Sequence, residues 1–429
     1  MEQSPFNQGL MTFINASPTP FHAVATMEKA LIKAGFERLD EGDVWSIDTS
    51  GAYYLIRNDS SLCAFSLAGK EPVAHGLRMV GAHTDSPCLK VKPQAEIKKK
   101  GYFQLGVEVY GGALLNPWFD RDLSLAGRIS FEQKNGVLAH RLIDFELPLA
   151  VIPSLAIHLD REANNARSIN AQTDLPPILL QCDDGQTEFH GLLRDQLLKQ
   201  YPDLSLENIL DYELSFYDTQ SAAQVGLQQQ FVAAARLDNL LSCYTGMQAL
   251  LASTEQPCLL ICNDHEEVGS ISSSGAQGTL LRSILERISD PGEGFSRLVD
   301  HSMMISADNA HGVHPNFTAR HDDEHGPLLN KGPVIKVNSN QRYATNSITS
   351  AVFRRCCQQV NAPVQSFVMR NDMACGGTIG PITASGIGVR TLDVGVPTFA
   401  MHSIRELAGA DDAWYLYQAL NEFFKTEQL

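Results

Sequence analysis

The chain has 429 residues, 44% hydrophobic and 19% charged, an ordinary globular balance in a polypeptide too long for one typical core. A formal net charge of -16 argues against nucleic acid or an anionic membrane as partner, and no apolar run approaches the roughly 18 residues needed to span a bilayer. Nine cysteines, an odd number without a C-x-x-C spacing, predict reduced thiols and a cytoplasmic location; the opening Glu2-Gln3-Ser4-Pro5 lacks the basic-then-apolar pattern of a signal peptide.

Ser17-Pro18-Thr19-Pro20 precedes a predicted helix with apolar positions at Phe21, Val24, Met27, Leu31 and Ile32, closed by Gly35. Strands are predicted at 53–56 and 62–65 across an Asn-Asp-Ser turn, and at 77–82, running into His83-Thr84-Asp85-Ser86-Pro87. From about Val91 the texture changes. The basic run Lys98-Lys99-Lys100, read as a solvated hairpin face, leads into short alternating strands at 103–110, 125–131 and 136–142, separated by turn residues. Residues 164–229 are polar and less regular. Alternation of strand and helix then resumes: a strand at 230–235, an amphipathic helix through Leu240, Leu241, Tyr244, Met247, Leu250 and Leu251, a strand at 258–262 and a helix at 278–288. Strands follow at 302–305, 333–337 and 388–392. A C-terminal helix from about Asp412 to Thr426 has the buried stripe Trp414, Leu416, Tyr417, Leu420 and Phe424. The expected fold class is α/β, a central mixed sheet with helices on both faces. Residues 1–91 and 229–429 make one discontinuous domain, interrupted by an inserted β-rich domain at 92–228.

Open α/β sheets place ligands at the carboxyl ends of strands, and the chemistry-bearing residues fall there. In His83-x-Asp85 the two side chains share a face of an extended segment, so the carboxylate can take the second ring N–H of a metal-bound imidazole. Asp238 either caps the helix beginning at Leu240 or bridges two cations. The adjacent Glu266 and Glu267 end an apolar strand, where like charges make sense if one binds a cation and the other handles a proton. Asp308 follows Met303-Met304-Ile305, with His311 and His314 close behind, and His402 leaves another apolar run. Histidines and carboxylates in this number suit borderline divalent metals such as zinc, cobalt or manganese; they exceed one catalytic zinc and fit two ions about 3.5–4 Å apart. His321-Asp322-Asp323-Glu324-His325 is denser in such residues but is flanked by Arg320 and Gly326-Pro327, and is read as a solvated loop. Lys336, a lone cation in Val334-Ile335-Lys336-Val337, either blunts a sheet edge or meets an acidic group.

The motifs GAHTDSP (81–87), ARLDN (235–239), NDHEEVGS (263–270), SADNAHGVHPN (306–316), GPVIKVNSNQRYATN (332–346), CGGTIGP (375–381) and AMHSIRE (400–406) together resemble the bacterial type of the M18 metalloaminopeptidases, the aspartyl aminopeptidases. The likeness runs from SPTPFH (17–22) almost to the C-terminus. It implies a zinc-peptidase-like fold and hydrolysis of the N-terminal peptide bond of peptides that begin with Asp or Glu, by water activated between two divalent ions, zinc first, cobalt or manganese otherwise. By resemblance His83, Asp238 and Asp308 hold one ion; Asp238, Glu267 and His402 hold the other. Glu266 is the general base, Asp85 orients His83, and the 238–239 peptide is cis. Lys336 and Tyr343 contact the acidic side chain, His311 lines the site, and His158 is contributed by a neighbouring subunit of a tetrahedral homododecamer whose dimers the inserted domain builds. Gly377 departs from the family pattern, where Thr or Ser is frequent. Two other readings stay open at this point: a two-metal carboxypeptidase or deacylase, and an inactive relative serving as scaffold.

Overall fold

A computed structural model describes residues 2–182, 187–253 and 255–429, and the chain divides into two compact units. The first contains residues up to Asp85, Ala222–Met401 and Glu406–Leu429; the second contains Ser86–Ser221 and His402–Arg405.

A nine-stranded mixed sheet organises the first unit, in the order Glu37–Arg38, Ala52–Arg57, Ser61–Ser66, Cys258–Asn263, Arg78–His83, Met303–Ala307, Arg390–Gly395, Val334–Val337, Gln365–Val368. The four strands from Cys258–Asn263 to Arg390–Gly395 run parallel, so their carboxyl ends open at one edge. Their side chains alternate between two cores. Cys258, Leu260 and Cys262 join Val80, Ala82 and Ile305 on one face, while Leu259 and Ile261 join Met79 and Met304 on the other. Both faces being covered by helices explains why these strands are apolar throughout. The helices Gln3–Asn15, Pro20–Lys33, Leu237–Ala252, Ser347–Gln359 and Asp412–Lys425 supply the first core; Leu280–Ile288 and Gly294–His301 supply the second.

Local chemistry sets the helix ends. Thr19 caps Pro20–Lys33, with Pro at the first position, and Asn346 and Thr349 form a reciprocal box at the start of Ser347–Gln359. In the C-terminal helix Leu416, Tyr417, Leu420 and Phe424 are buried as expected, Phe423 joins them, and Trp414 is only half-buried. A five-stranded sheet, in the order Ala223–Val225, Phe231–Ala234, Glu406–Gly409, Pro397–Phe399, Ala310–His311, completes this unit.

The second unit is built on a six-stranded antiparallel sheet, in the order Leu138–Asp144, Leu123–Gln133, Leu206–Asp218, Cys88–Lys99, Tyr102–Tyr110, Ile178–Gln181. Phe189, Leu193 and Leu197 of the helix Phe189–Gln200 pack on Phe103, Phe131 and Phe216. The region read as irregular from sequence thus contains a helix and the long strand Leu206–Asp218. Two register shifts against Leu123–Gln133 break the strand's alternation, which is the physical reason its period was hidden. Lys98, Lys99 and Lys100 lie exposed at the hairpin that follows Cys88–Lys99. All nine cysteines are free, and among the described residues no helix is long and apolar enough to cross a membrane.

Candidate metal centre

Three parallel strands deliver the central groups. His83 ends Arg78–His83, Asp308 follows Met303–Ala307, and Glu266 and Glu267 lie in a 3-10 turn just beyond Cys258–Asn263. That turn is entered and left through left-handed residues, His265 at φ 63° and Gly269 at φ 97°. Asp238 comes from the first turn of Leu237–Ala252. It leaves helical geometry there, as does Asn239, so it points inward and does not act as a simple cap. The 238–239 peptide is cis.

His83 is 1% exposed and is the hub. Its Nδ1 lies 3.1 Å from the Asp85 carbonyl and 3.3 Å from Asp85 Oδ1, which assigns the ring proton to Nδ1. Its Nε2 faces Asp238 Oδ1 at 3.4 Å, Asp308 Oδ1 at 3.6 Å and Glu266 Oε2 at 4.0 Å. The ligand atoms of His83, Asp238 and Asp308 lie within 4.8 Å of one another, and so do those of His83, Glu266 and Glu267.

Asp85 does more than hold the imidazole. The backbone N–H of Glu266 donates to its Oδ1 at 3.2 Å and that of Glu267 to its Oδ2 at 3.1 Å, so one buried carboxylate fixes His83 and the glutamate turn together. Asn239 Nδ2 donates to the carbonyl of Ala307 at 2.8 Å, Cys243 Sγ to that of His83 at 3.0 Å, and the Asp238 N–H to Glu406 Oε2 at 2.9 Å. Glu406 was not singled out from sequence. It is a carboxylate almost wholly buried in a strand, the same signal that drew attention to Lys336.

Crowding of negative charge away from water dominates the electrostatics. Burial, reinforced by the surrounding carboxylates, pushes Glu266 up to about 7 and Glu267 up to about 10. Burial opposes charge on His83, but hydrogen bonds to Asp238, Asp308 and Asp85 raise its pKa well above the ordinary value. Asp308 is held below the carboxylate range, because the charges of Lys336 and His83 overcome its burial. The carboxylates of Asp85, Asp238, Glu266 and Asp308 crowd around the single His83 imidazole, with Glu267 beside them and Lys336 paired to Asp308. A divalent ion among these imidazole and carboxylate donors would relieve that imbalance, so the residues fit a metal of the zinc type.

Lys336 sits in a strand paired on both sides, so it blunts no edge. It is 3% exposed, and its Nζ donates to Asp308 Oδ2 at 3.1 Å and to the Asn309 carbonyl at 2.8 Å. Its Nζ also lies 5.4 Å from the centroid of the buried Tyr343 ring. His311 ends Ala310–His311, with its ring centroid 5.8 Å from that of Phe367. His402 belongs to the short segment that packs with the second unit. Its Nδ1 lies 3.1 Å from the Gly112 carbonyl, which leaves Nε2 as the acceptor nitrogen. His158 is exposed in a turn of the second unit. The 321–325 stretch is an outlying loop in which His325 Nδ1 pairs with Asp322 Oδ1 at 2.7 Å.

Comparison with known proteins agrees with this geometry. The model of the family described as Aminopeptidase I zinc metalloprotease (M18) matches residues 13–424. A protein of Pseudomonas fluorescens (strain SBW25), described as a probable M18 family aminopeptidase 2, is 59% identical over 425 residues, which cover 99% of each chain. Among solved structures, the chain superposes on one from a complex of Ape4 and Nbr1 with a TM-score of 0.95 and 38% identity, covering 99% of this chain and 86% of that one. The S. cerevisiae mApe1 dodecamer matches with a TM-score of 0.83 at 29% identity, covering 98% of this chain and 96% of the other. This chain belongs to the M18 family of metal-dependent aminopeptidases.

Proposed function

We propose that this aminopeptidase removes acidic residues, Asp or Glu, from the N-terminus of small peptides, with two divalent ions at the site. Zinc suits the donors best, and cobalt or manganese can occupy the same set. His83, Asp238 and Asp308 would hold one ion; Asp238, Glu267 and His402 would hold the other, with Asp238 between them. Bound there, the ions would supply Lewis-acid polarisation of the scissile carbonyl and acidify the attacking water.

The protein's own groups do the rest. Glu266, set by the Asp85 carboxylate through its backbone N–H, takes the proton from the attacking water and delivers it to the leaving amine nitrogen. Burial raises its pKa to about 7 without metal, and positive charge beside it would lower that value, so that it stands ready as a proton acceptor at neutral pH. Asp85 keeps the His83 proton on Nδ1, so Nε2 stays a donor to metal. Lys336 and Tyr343 receive the acidic side chain, and His311 lines the same region. We further propose that 92–228 is an inserted dimerisation unit, that the chain assembles as a homododecamer like the mApe1 relative, and that His158 of one subunit reaches the site of another. The free, mostly buried thiols support a reducing, cytoplasmic setting.

The observation that carries the acidic preference is Lys336. Its buried ammonium donates to Asp308 Oδ2 and to the Asn309 carbonyl, and as a group with three N–H donors it can also meet an anionic side chain, which a chain of net charge -16 would otherwise repel. The test is metal analysis and a panel of Asp-, Glu-, Ala- and Lys-p-nitroanilides on one preparation. The expected result is two equivalents of metal per chain and turnover of Asp and Glu substrates well above Ala. Equal turnover of Ala and Asp substrates would sink the preference, and one equivalent of metal would sink the two-ion site.

A further inference from the structure

Asp393 is a buried carboxylate that the chemistry above leaves unused. It lies between Leu392 and Val394 in the strand Arg390–Gly395, with 0% exposure. Its Oδ2 accepts the backbone N–H of Ala344 at 2.6 Å, and its Oδ1 accepts the Thr378 hydroxyl at 2.6 Å. Its own N–H donates to Thr345 Oγ1 at 3.0 Å. The packing is close: a Cβ added at Gly380 would stand 2.3 Å from Oδ1, so glycine is required there.

Thr378 precedes the helix Ile379–Ile387 at the N-cap position, where a threonine hydroxyl ordinarily caps its own helix. Here it makes no such bond and turns to Asp393 instead. The segments joined in this way bear directly on the pocket. Tyr343 immediately precedes Ala344, and Cys375, three residues before Thr378, packs against the cluster that contains Tyr343. Tyr343 packs with Ala310, Val334, Phe367 and the partly buried Cys375, with Lys336 over its ring.

From this we infer that Asp393 is the positioning residue of the acid-selective pocket, fixing Tyr343 and the 375–378 turn around Lys336 before substrate arrives. The inference rests on the reading of Lys336 and Tyr343 as the substrate side-chain site. A carboxylate suits the task because two donors from two segments need two acceptor oxygens. The isosteric amide has one oxygen and would turn an NH2 towards the other donor. Preorganisation of this kind lowers the ordering cost of binding and leaves the bond-breaking groups alone.

The test compares Asp393→Asn, Thr378→Val and Thr378→Ser with the wild type, each with its metal content measured. Asp393→Asn and Thr378→Val should raise KM for the best wild-type substrate about tenfold, the worth of one net hydrogen bond, with kcat within about threefold and metal unchanged. Thr378→Ser, which keeps the hydroxyl, should restore KM. Unaltered KM in Asp393→Asn and Thr378→Val would overturn the inference. So would losses in kcat and metal that match the loss in KM, or failure of the serine to rescue. If Asp393→Asn does not fold, the Thr378 pair alone decides. The wild-type side-chain preference is read separately, from the substrate panel, so failure of the acidic preference is distinct from failure of the positioning role.

Discussion

Two stretches of this chain are rich in histidine and carboxylate, 263–269 and 321–325, and they behave as opposites. His325 and Asp322 pair with side chains 45% and 38% exposed, and His325 simply holds the Asp322 carboxyl below its usual range. Glu266 and Glu267 sit under the same type of charge density, but burial pushes them to about 7 and about 10. What separates the stretches is convergence. The 263–269 turn leaves a strand flanked by neighbours that bring His83 and, one strand further, Asp308 to the same sheet edge, whereas 321–325 follows a short 3-10 turn on the surface. Ligand-type residues make a reactive centre only where the fold removes water from several of them together.

The largest expected break in this contrast is Glu266→Gln. The change keeps shape and removes the proposed proton acceptor, so kcat should fall by about 10²–10⁴ while metal content stays intact. Asp238→Ala, by contrast, should lose the metal along with activity, because its carboxylate would serve both ions. Steady-state kinetics with metal analysis on the same samples separates the two outcomes. Near-normal turnover in Glu266→Gln would remove the residue from the reaction.

The strand ends that carry His83, Asp308, Glu266 and Glu267 were readable in sequence, because each follows an apolar run of strand length. Their cross-links were not. Asp85 receives amides 181 and 182 residues away, and Glu406 reaches Asp238 across 168, distances over which local periodicity carries no information. Asp393 could have been noticed as Lys336 was, a charge within an apolar strand, but its partners Ala344 and Thr378 follow only from the fold. In the second unit the bulged strand Leu206–Asp218 escaped because its alternation is interrupted, as did Cys88–Lys99 with its own register shift, whereas the regular pair Leu123–Gln133 and Leu138–Asp144 did not.

A smaller effect comes from pH acting on chelator-treated protein. Glu266 and Glu267 hold protons in the fold that they release in the unfolded chain, so each rise in pH between about 5 and 8 favours unfolding. His83, raised by its carboxylate partners, acts with the same sign in the upper part of that window, since its ion pairs fade as it deprotonates. The melting temperature of the metal-free protein should therefore fall with rising pH. Glu267→Gln should flatten the slope, and added zinc should reverse it, because deprotonated ligands bind metal. A metal-free melting temperature independent of pH would show that these groups are not buried together.

The smallest effect is expected where sequence composition is most suggestive. Replacing both His321 and His325 by alanine removes the imidazoles of the 321–325 loop. His325 is bonded to Asp322, a neighbour three residues away, on a surface where water already solvates the charge. Metal content should be unchanged, kcat/KM should stay within about twofold, and the melting temperature should move by no more than about 1–2 °C, as for other surface changes. Loss of metal from this double variant would make the loop a ligand group as well and erase the distinction drawn from burial. Retention of the full metal content, alongside its loss in Asp238→Ala, would show that the number of histidines and carboxylates in a stretch matters less than how many strands end beside it.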